Sequence, residues 1–333
     1  MLSKNAKRII LIVIDIIVSG FIWYVNASWG NIPSMCLILS IITFLFIFIP
    51  FEVYWSFRDI WLDRWDKINL KNIKQEKIEI HVEDGKIIGA LFQKSNGNMS
   101  DTSPIIIISP GFSDVKEDLE FFYLPLVNEG FLVLTYDARG TGESKKLGKR
   151  GDIKKRIKDF LEITKWIQKY EFLGNREIYA AGFSIGALTI LCGGFHLQLI
   201  KKIYAISSIA DYKKNIPRFN PIVWFRYFLK GIPQFPSQEI NMVISPYHVI
   251  NRFKEQNFSN SDQEWKKFSK KVMLVHVKND KIVPFINFVK NRELLMLNDE
   301  NTLVFEKGGH VLKKNELVLV NSALKFFKMK LLV

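Results

Sequence analysis

The sequence predicts an α/β chain: a doubly wound, mostly parallel sheet with a cap insertion, preceded by two transmembrane helices. Three observations predict it. From Lys74 onward, continuous apolar runs of strand length alternate with helix-like runs, and such strands belong to a parallel sheet covered on both faces. A serine stands between two glycines in "AAGFSIGAL" (180–188), where a strand-like run gives way to a helix-like one; a turn that tight lifts a side chain clear of a sheet. Finally, two long apolar runs fill residues 9–51.

Those runs, "IILIVIDIIVSGFIWYV" and "IPSMCLILSIITFLFIFIPF", flank the short "NASWGN", and each approaches the roughly 20 residues that cross a bilayer as a helix. Residues 1–52 therefore read as a transmembrane helical hairpin. Asp15 opposes insertion by about 2.5–3.5 kcal/mol, whereas each Leu, Ile, Val or Phe contributes roughly −0.3 to −0.6 kcal/mol. Twelve such residues lie between Ile9 and Val25, so insertion wins. The basic start (Lys4, Lys7, Arg8) followed by an apolar run also suits a cleaved signal peptide, a reading that the acidic Asp15 disfavours. Basic residues flank both runs on their outer sides and are missing from the connecting loop. By the positive-inside rule both ends, and the domain that follows, face the cytoplasm.

The net charge of +14 means a solvated basic surface, and beside a bilayer it also means attraction to anionic headgroups. No basic-aromatic motif of the nucleic-acid modules accompanies it, so no nucleic-acid partner is expected. The two cysteines, Cys36 in the second apolar run and Cys192 after Ser184, suggest no disulfide framework.

Residues 53–73 carry Tyr54, Trp55, Trp61, Leu62, Trp65 and Ile68 at three- and four-residue intervals, the spacing of one aromatic helix face. It either packs on the following domain or lies in the headgroup layer. The third region, 74–333, opens with "KIEIHV" and "KIIGALFQ" joined through Glu83-Asp84-Gly85, a hairpin signature. Then come strand "PIIIIS", helix "DLEFFYLPLVNEG", strand "FLVLTYD", a charged helix over 153–170, strand "EIYAAG", and the strands "KKIYAISSI", "KKVMLVHV" and "TLVFEK" before a closing helix. The aromatic-rich segment from Asp211 to Lys270 interrupts the alternation and is too long for a simple connection. Its first part is expected to cap the carboxyl ends of the strands, where ligands bind in such sheets.

Serine becomes a nucleophile only beside a base, and the base needs an orienting acid. Asp280 follows "VMLVHV", and His310 follows "TLVFEKGG", the chain order Ser, acid, His. With these residues in place the sequence resembles the α/β-hydrolase family over roughly 75–330, through "SPGFSDVKED", "DARGTGES", "GFSIG", "KNDKIVP" and "GGH". The resemblance implies Ser184 as nucleophile, His310 as general base and acid, and Asp280 as the residue that orients the imidazole. It further implies an oxyanion hole built from the backbone N–H groups of Ile185 and Phe112. The family commonly has a histidine where Pro110 stands, which raises the question of what holds that loop.

Asp211, after the preceding strand, is the alternative acid. Asp137 and Arg139 resemble a turn that braces the site. His276 reads as a core residue; His81, His196 and His248 have no metal-ligand spacing, and runs such as "GDIKKRIKD" read as solvated faces. The expected function is a membrane-anchored serine hydrolase acting on an ester or thioester with an apolar acyl part, without metal or organic cofactor. Two alternatives are a peptidase acting on short peptides and a non-catalytic binding module.

Overall fold

The computed structural model describes residues 4–61, 72–95, 103–170, 173–216, 228, 231–259 and 261–329. The chain divides into two compact units, Met1–Asp66 and Lys67–Val333.

In the first unit, α1 (Lys4–Ser28) and α2 (Pro33–Trp61) form a helical hairpin, and Ser40 Oγ donates across it to Ser19 O at 2.6 Å. Gly30 turns the chain at a φ of 77°, a conformation glycine adopts without steric cost. Both helices are long and apolar enough to cross a membrane, and side chains such as Ile9, Ile17, Phe21 and Phe46 point outward. Asp15 does the opposite. It is buried, with neither carboxylate oxygen hydrogen-bonded among the described residues. The helix α2 runs through Pro50 to Trp61 without a break; the aromatic face expected between Tyr54 and Ile68 lies outside the described residues.

The second unit is built on eight strands: β1 (Ile73–Val82), β2 (Gly85–Lys94), β3 (Ile105–Ser109), β4 (Leu132–Tyr136), β5 (Ile178–Phe183), β6 (Ile200–Ile206), β7 (Val272–Val277) and β8 (Thr302–Phe305). Their order is β1-β2-β4-β3-β5-β6-β7-β8. β1 and β2 pair antiparallel and β2 meets β4 antiparallel; every later pairing is parallel. The hairpin closes with Val82 opposite Gly85, so its turn is Glu83-Asp84, one residue ahead of the Asp-Gly pair. β1 forms the outer edge and exposes Lys74, Glu76, Lys77 and Glu79.

Strand pleating sends alternate residues to opposite faces. Ile105 and Ile107 join one core with Phe160 and Ile163 of α4 (Ile153–Lys169) and Ile190 and Leu191 of α5 (Ile185–Gly194). Ile106 and Ile108 join the other, with Phe122 and Leu126 of α3 (Glu120–Asn128) and the phenylalanines near the end of the closing helix. Within 211–270 lie a short turn of helix, α6 (Tyr212–Asn215), then α7 (Gln238–Ile244), α8 (Pro246–Asn257) and α9 (Asp262–Ser269). Ile250 of α8 and Trp265 of α9 are fully buried in the first core, so these two helices help to cover the sheet. Residues 217–227, 229 and 230, in the part expected to form the cap, lie outside the described residues. A further helix absent from the sequence reading, α10 (Ile286–Leu295), links β7 to β8, and α11 (Glu316–Lys328) closes the chain.

The chain passes from β3 outward to β4, then returns across β3 to β5. That reversal between β3 and β5 is a topological switch point, and it opens a crevice at the carboxyl ends of the two strands.

Candidate active site

Ser184 stands at the end of β5, immediately before α5. Its φ of 54° and ψ of −114° lie where a non-glycine residue is strained by about 1–3 kcal/mol. The surroundings enforce that conformation: Ser184 N–H donates to Ile206 O at 2.8 Å, and Leu188 N–H donates to Ser184 O at 3.0 Å. The flanking glycines are steric necessities. A Cβ at Gly182 would sit 2.6 Å from Gly186 backbone atoms, and one at Gly186 would strike the carbonyl oxygens of Ser109 and Pro110. The first turn of α5 is thereby pressed against the loop leaving β3.

That loop carries Phe112, and β3 neighbours β5 in the sheet. Gly111 N–H donates to Asp114 Oδ2 at 3.1 Å. Ile185 opens α5, so its N–H is among those a helix start leaves without an intrahelical acceptor. The two expected oxyanion donors therefore come from adjacent strand ends.

Asp280 follows β7 and His310 follows β8, the neighbouring strand. His310 Nδ1–H donates to Asp280 Oδ2 at 2.7 Å. This fixes the tautomer and leaves the Nε2 lone pair for a proton. The other oxygen, Oδ1, accepts from Ile282 N–H (2.8 Å) and Val283 N–H (2.9 Å). Burial pushes the Asp280 carboxyl up, but the hydrogen bond and charge of His310 and the two backbone donors outweigh it, and the carboxyl ends below its ordinary value. Gly308 and Gly309, with φ of 144° and 60°, let the chain turn sharply before His310, and Gly309 N–H donates to Asn279 Oδ1 at 2.9 Å. Among the described residues no hydrogen bond joins the Ser184 hydroxyl to the imidazole; in free enzymes this bond is often long and tightens on substrate binding.

Asp211 is not brought to His310. It accepts from Asn241 Nδ2 at 3.2 Å and from Lys214 N–H at 3.4 Å, and lies 3.7 Å from His248 Nε2. His276 is buried; its Nε2–H donates to Val283 O at 2.9 Å, and burial pushes its pKa down. Among the described residues no cluster of three or more His, Cys, Asp or Glu is placed to hold a metal ion.

The turn after β4 is braced as its motif implied. Asp137 accepts from Lys116 Nζ (2.9 Å), Lys116 N–H (2.9 Å) and Glu143 N–H (2.8 Å). Arg139 grips Asp159 through Nε and Nη2 at 2.8 and 2.7 Å. Asp159 and Arg156 belong to "GDIKKRIKD", expected to be a solvated face. Lys154, Lys155 and Lys158 are exposed, but Arg156 and Asp159 are buried. The missed signal is the helical period: Arg156 lies three after Ile153 and four before Phe160, on the apolar stripe of α4.

A doubly wound sheet with a strained serine at the switch point, an acid two strands away and its imidazole partner three strands away defines an α/β-hydrolase. The chain belongs to the prolyl oligopeptidase family, whose pattern matches residues 118–332. In solved structures it resembles an acylaminoacyl peptidase from Pyrococcus horikoshii (TM-score 0.55, 15% identity, 81% of this chain and 42% of that one). It also resembles an esterase from Pyrococcus furiosus (TM-score 0.53, 19% identity, 80% of this chain and 97% of that one). An oligopeptidase B from Leishmania major gives a TM-score of 0.55 at 15% identity, over 77% of this chain and 36% of that one. Among curated proteins, an Escherichia coli protein described as an uncharacterized 31.7 kDa protein in the traX-finO intergenic region is 29% identical over 127 residues, 37% of this chain. The chain spans only 43% of that relative's length.

Proposed function

We propose that the protein is a membrane-anchored serine hydrolase, facing the cytoplasm, that cleaves a carboxylic ester or thioester with an apolar acyl part. The observation that carries this reading is the His310–Asp280 hydrogen bond of 2.7 Å, made after β7 and β8 of the same sheet whose strand β5 ends at the strained Ser184. His310 Nε2 takes the hydroxyl proton as Ser184 Oγ attacks the substrate carbonyl. The resulting oxyanion is met by the N–H groups of Ile185 and Phe112. As the tetrahedral species collapses, the imidazolium returns the proton to the leaving alkoxide or thiolate, and an acyl-serine remains. Water, deprotonated by the same imidazole, attacks the acyl carbonyl and releases the acid, restoring Ser184.

The preference for an apolar acyl group rests on a cluster that includes Ile185, Leu188, Ile209, Ile244 and Val283, with Phe112 packed against it. Its members flank both oxyanion donors and the acid loop. Membrane anchoring rests on the two long apolar helices, and the cytoplasmic side on the basic residues at their outer ends. The net charge of +14 suits anionic headgroups as surface partners.

The family match favours one second reading, hydrolysis of short peptides, in which an amine replaces the alcohol as leaving group. A substrate panel of acyl esters, acyl thioesters and aminoacyl or peptidyl amides, run beside Ser184→Ala, separates them. Ester or thioester turnover that exceeds amide turnover and disappears with Ser184 is expected. Dominant amide turnover overturns the ester reading, and equal fluorophosphonate labelling of wild type and Ser184→Ala removes Ser184 from the chemistry. Protease added outside intact cells should spare the region after Lys74; digestion there would reverse the proposed orientation.

A further inference from the structure

Arg156, in the first turn of α4, is 2% exposed. Its Nη2 donates to Pro110 O at 2.7 Å and to Gly111 O at 3.0 Å, and its Nη1 reaches Arg150 O at 3.5 Å. A guanidinium this deep ordinarily has a carboxylate partner. The nearest candidate on its own helix, Asp159, is instead occupied by Arg139, and among the described residues Arg156 has no carboxylate within ion-pair distance. Burial consequently pushes its pKa down. Placing an unpaired cation inside a protein costs several kcal/mol, and here all of its hydrogen bonds go to carbonyls, two of them on the loop that carries Phe112.

We propose that Arg156 is a positioning residue for the oxyanion hole, gripping the Pro110 and Gly111 carbonyls so that Phe112 N–H is aimed at the reacting carbonyl oxygen. The proposal rests on the hydrolase reading above. Gly111 C=O and Phe112 N–H belong to one peptide unit, and in a trans unit the two bonds point in opposite directions. Holding Gly111 O toward α4 therefore turns Phe112 N–H away from α4. Asp114 holds the preceding peptide by accepting from Gly111 N–H, so both peptide planes flanking Gly111 are fixed. A charge-assisted bond to a carbonyl also polarises its amide and strengthens the N–H on the far side. Arg156 thus supplies from α4 the support for a loop in which Pro110 occupies the position where a histidine is common.

The test uses the full chain and compares Arg156→Met and Arg156→Lys with wild type. The readouts are kcat and KM on a p-nitrophenyl acyl ester, the rate of fluorophosphonate labelling at Ser184, and affinity for a trifluoromethyl ketone that mimics the tetrahedral species. Removing one oxyanion donor outright costs about 10²–10³ in kcat. A misaimed donor should cost roughly 10–100-fold, with KM changed less than about threefold and ketone affinity falling in parallel with kcat/KM. Labelling should reach the same final stoichiometry, but more slowly. Arg156→Lys should recover about tenfold, because an ammonium retains charge and donors but not the planar fork. Should Arg156→Met fail to fold, Arg156→Gln is read in the same way. A folded variant whose kcat stays within about twofold of wild type, or whose loss falls in KM alone, overturns the positioning role and leaves the hydrolase reading standing. Wild type that is not labelled at Ser184 overturns both.

Discussion

Asp280→Asn is the sharpest perturbation of the proposed machinery, because the structure dictates which way the new amide must face. In the native loop Oδ1 accepts from Ile282 N–H and Val283 N–H, and Oδ2 accepts from His310. An asparagine keeps the two backbone bonds only if its oxygen takes the Oδ1 place, which sets its NH₂ against His310 Nδ1. The opposite orientation leaves two backbone donors without acceptors, at about 1–3 kcal/mol each. A bias of roughly 2–6 kcal/mol therefore holds the amide as donor. Facing a donor, Nδ1 must present its lone pair, and the ring proton moves to Nε2, where the proton acceptor for Ser184 is required. The same exchange in serine-protease triads lowers kcat about 10⁴-fold, equivalent to about 5.4 kcal/mol of barrier. We expect a loss of that order in p-nitrophenyl ester hydrolysis, with the fold retained by circular dichroism. Asp211→Asn, made in parallel, should leave kcat within about threefold of wild type, since that carboxylate bonds Asn241 rather than the imidazole. A folded Asp280→Asn protein with kcat within tenfold of wild type would refute the assignment, and the large loss appearing in Asp211→Asn instead would transfer the acid role there.

Three further outcomes follow from the packing. Ser184→Gly should melt higher than Ser184→Ala, by about 1 kcal/mol, because only glycine relieves the backbone strain at φ 54° while losing some stability through unfolded-state freedom; the reverse order in urea unfolding would show the elbow to be unstrained. Asp159→Asn should destabilise the domain by about 3 kcal/mol, the low end for breaking a buried ion pair, because Asp84 remains a partner of Arg139; an unchanged urea midpoint would contradict this. Asp84 is held well below the usual carboxylate range by hydrogen bonds from Arg139 and Lys155. The unfolded chain therefore binds its proton at higher pH than the folded one, so this stabilisation is complete above about pH 4 and is lost as pH falls through the lower folded value. Asp84→Asn should flatten that acid limb of the urea midpoint, and an unaltered slope would remove Asp84 from it.

The alternation of apolar strands with helices was legible because strands buried on both faces, such as Ile105–Ser109, leave unbroken apolar runs. The placement of Ser184, Asp280 and His310 at strand ends was legible because each follows a strand that is itself easy to see. The helix α10 was not. Its buried positions are Asn287, Phe288, Asn291 and Leu295, so half of its inner face is polar and the apolar period is blurred. Asn287 faces inward because its side chain accepts from Ala210 N–H and donates to Pro284 O and Asn215 Oδ1, needs that arise only once distant loops have come together. Arg156 escaped notice for a related reason. Its partners are main-chain carbonyls, which leave no trace in side-chain identity.

If the N-terminal helices anchor the protein as proposed above, the charged outer strand β1 has a consequence. Confinement to a plane brings neighbouring copies into frequent sideways collision, and an open strand is the surface through which such encounters turn into irreversible clumping. Lys74, Glu76, Lys77 and Glu79 surround its main-chain donors and acceptors with solvated charge, so for an anchored protein such collisions would end in separation, and crowding on a bilayer would not cost the protein its individuality.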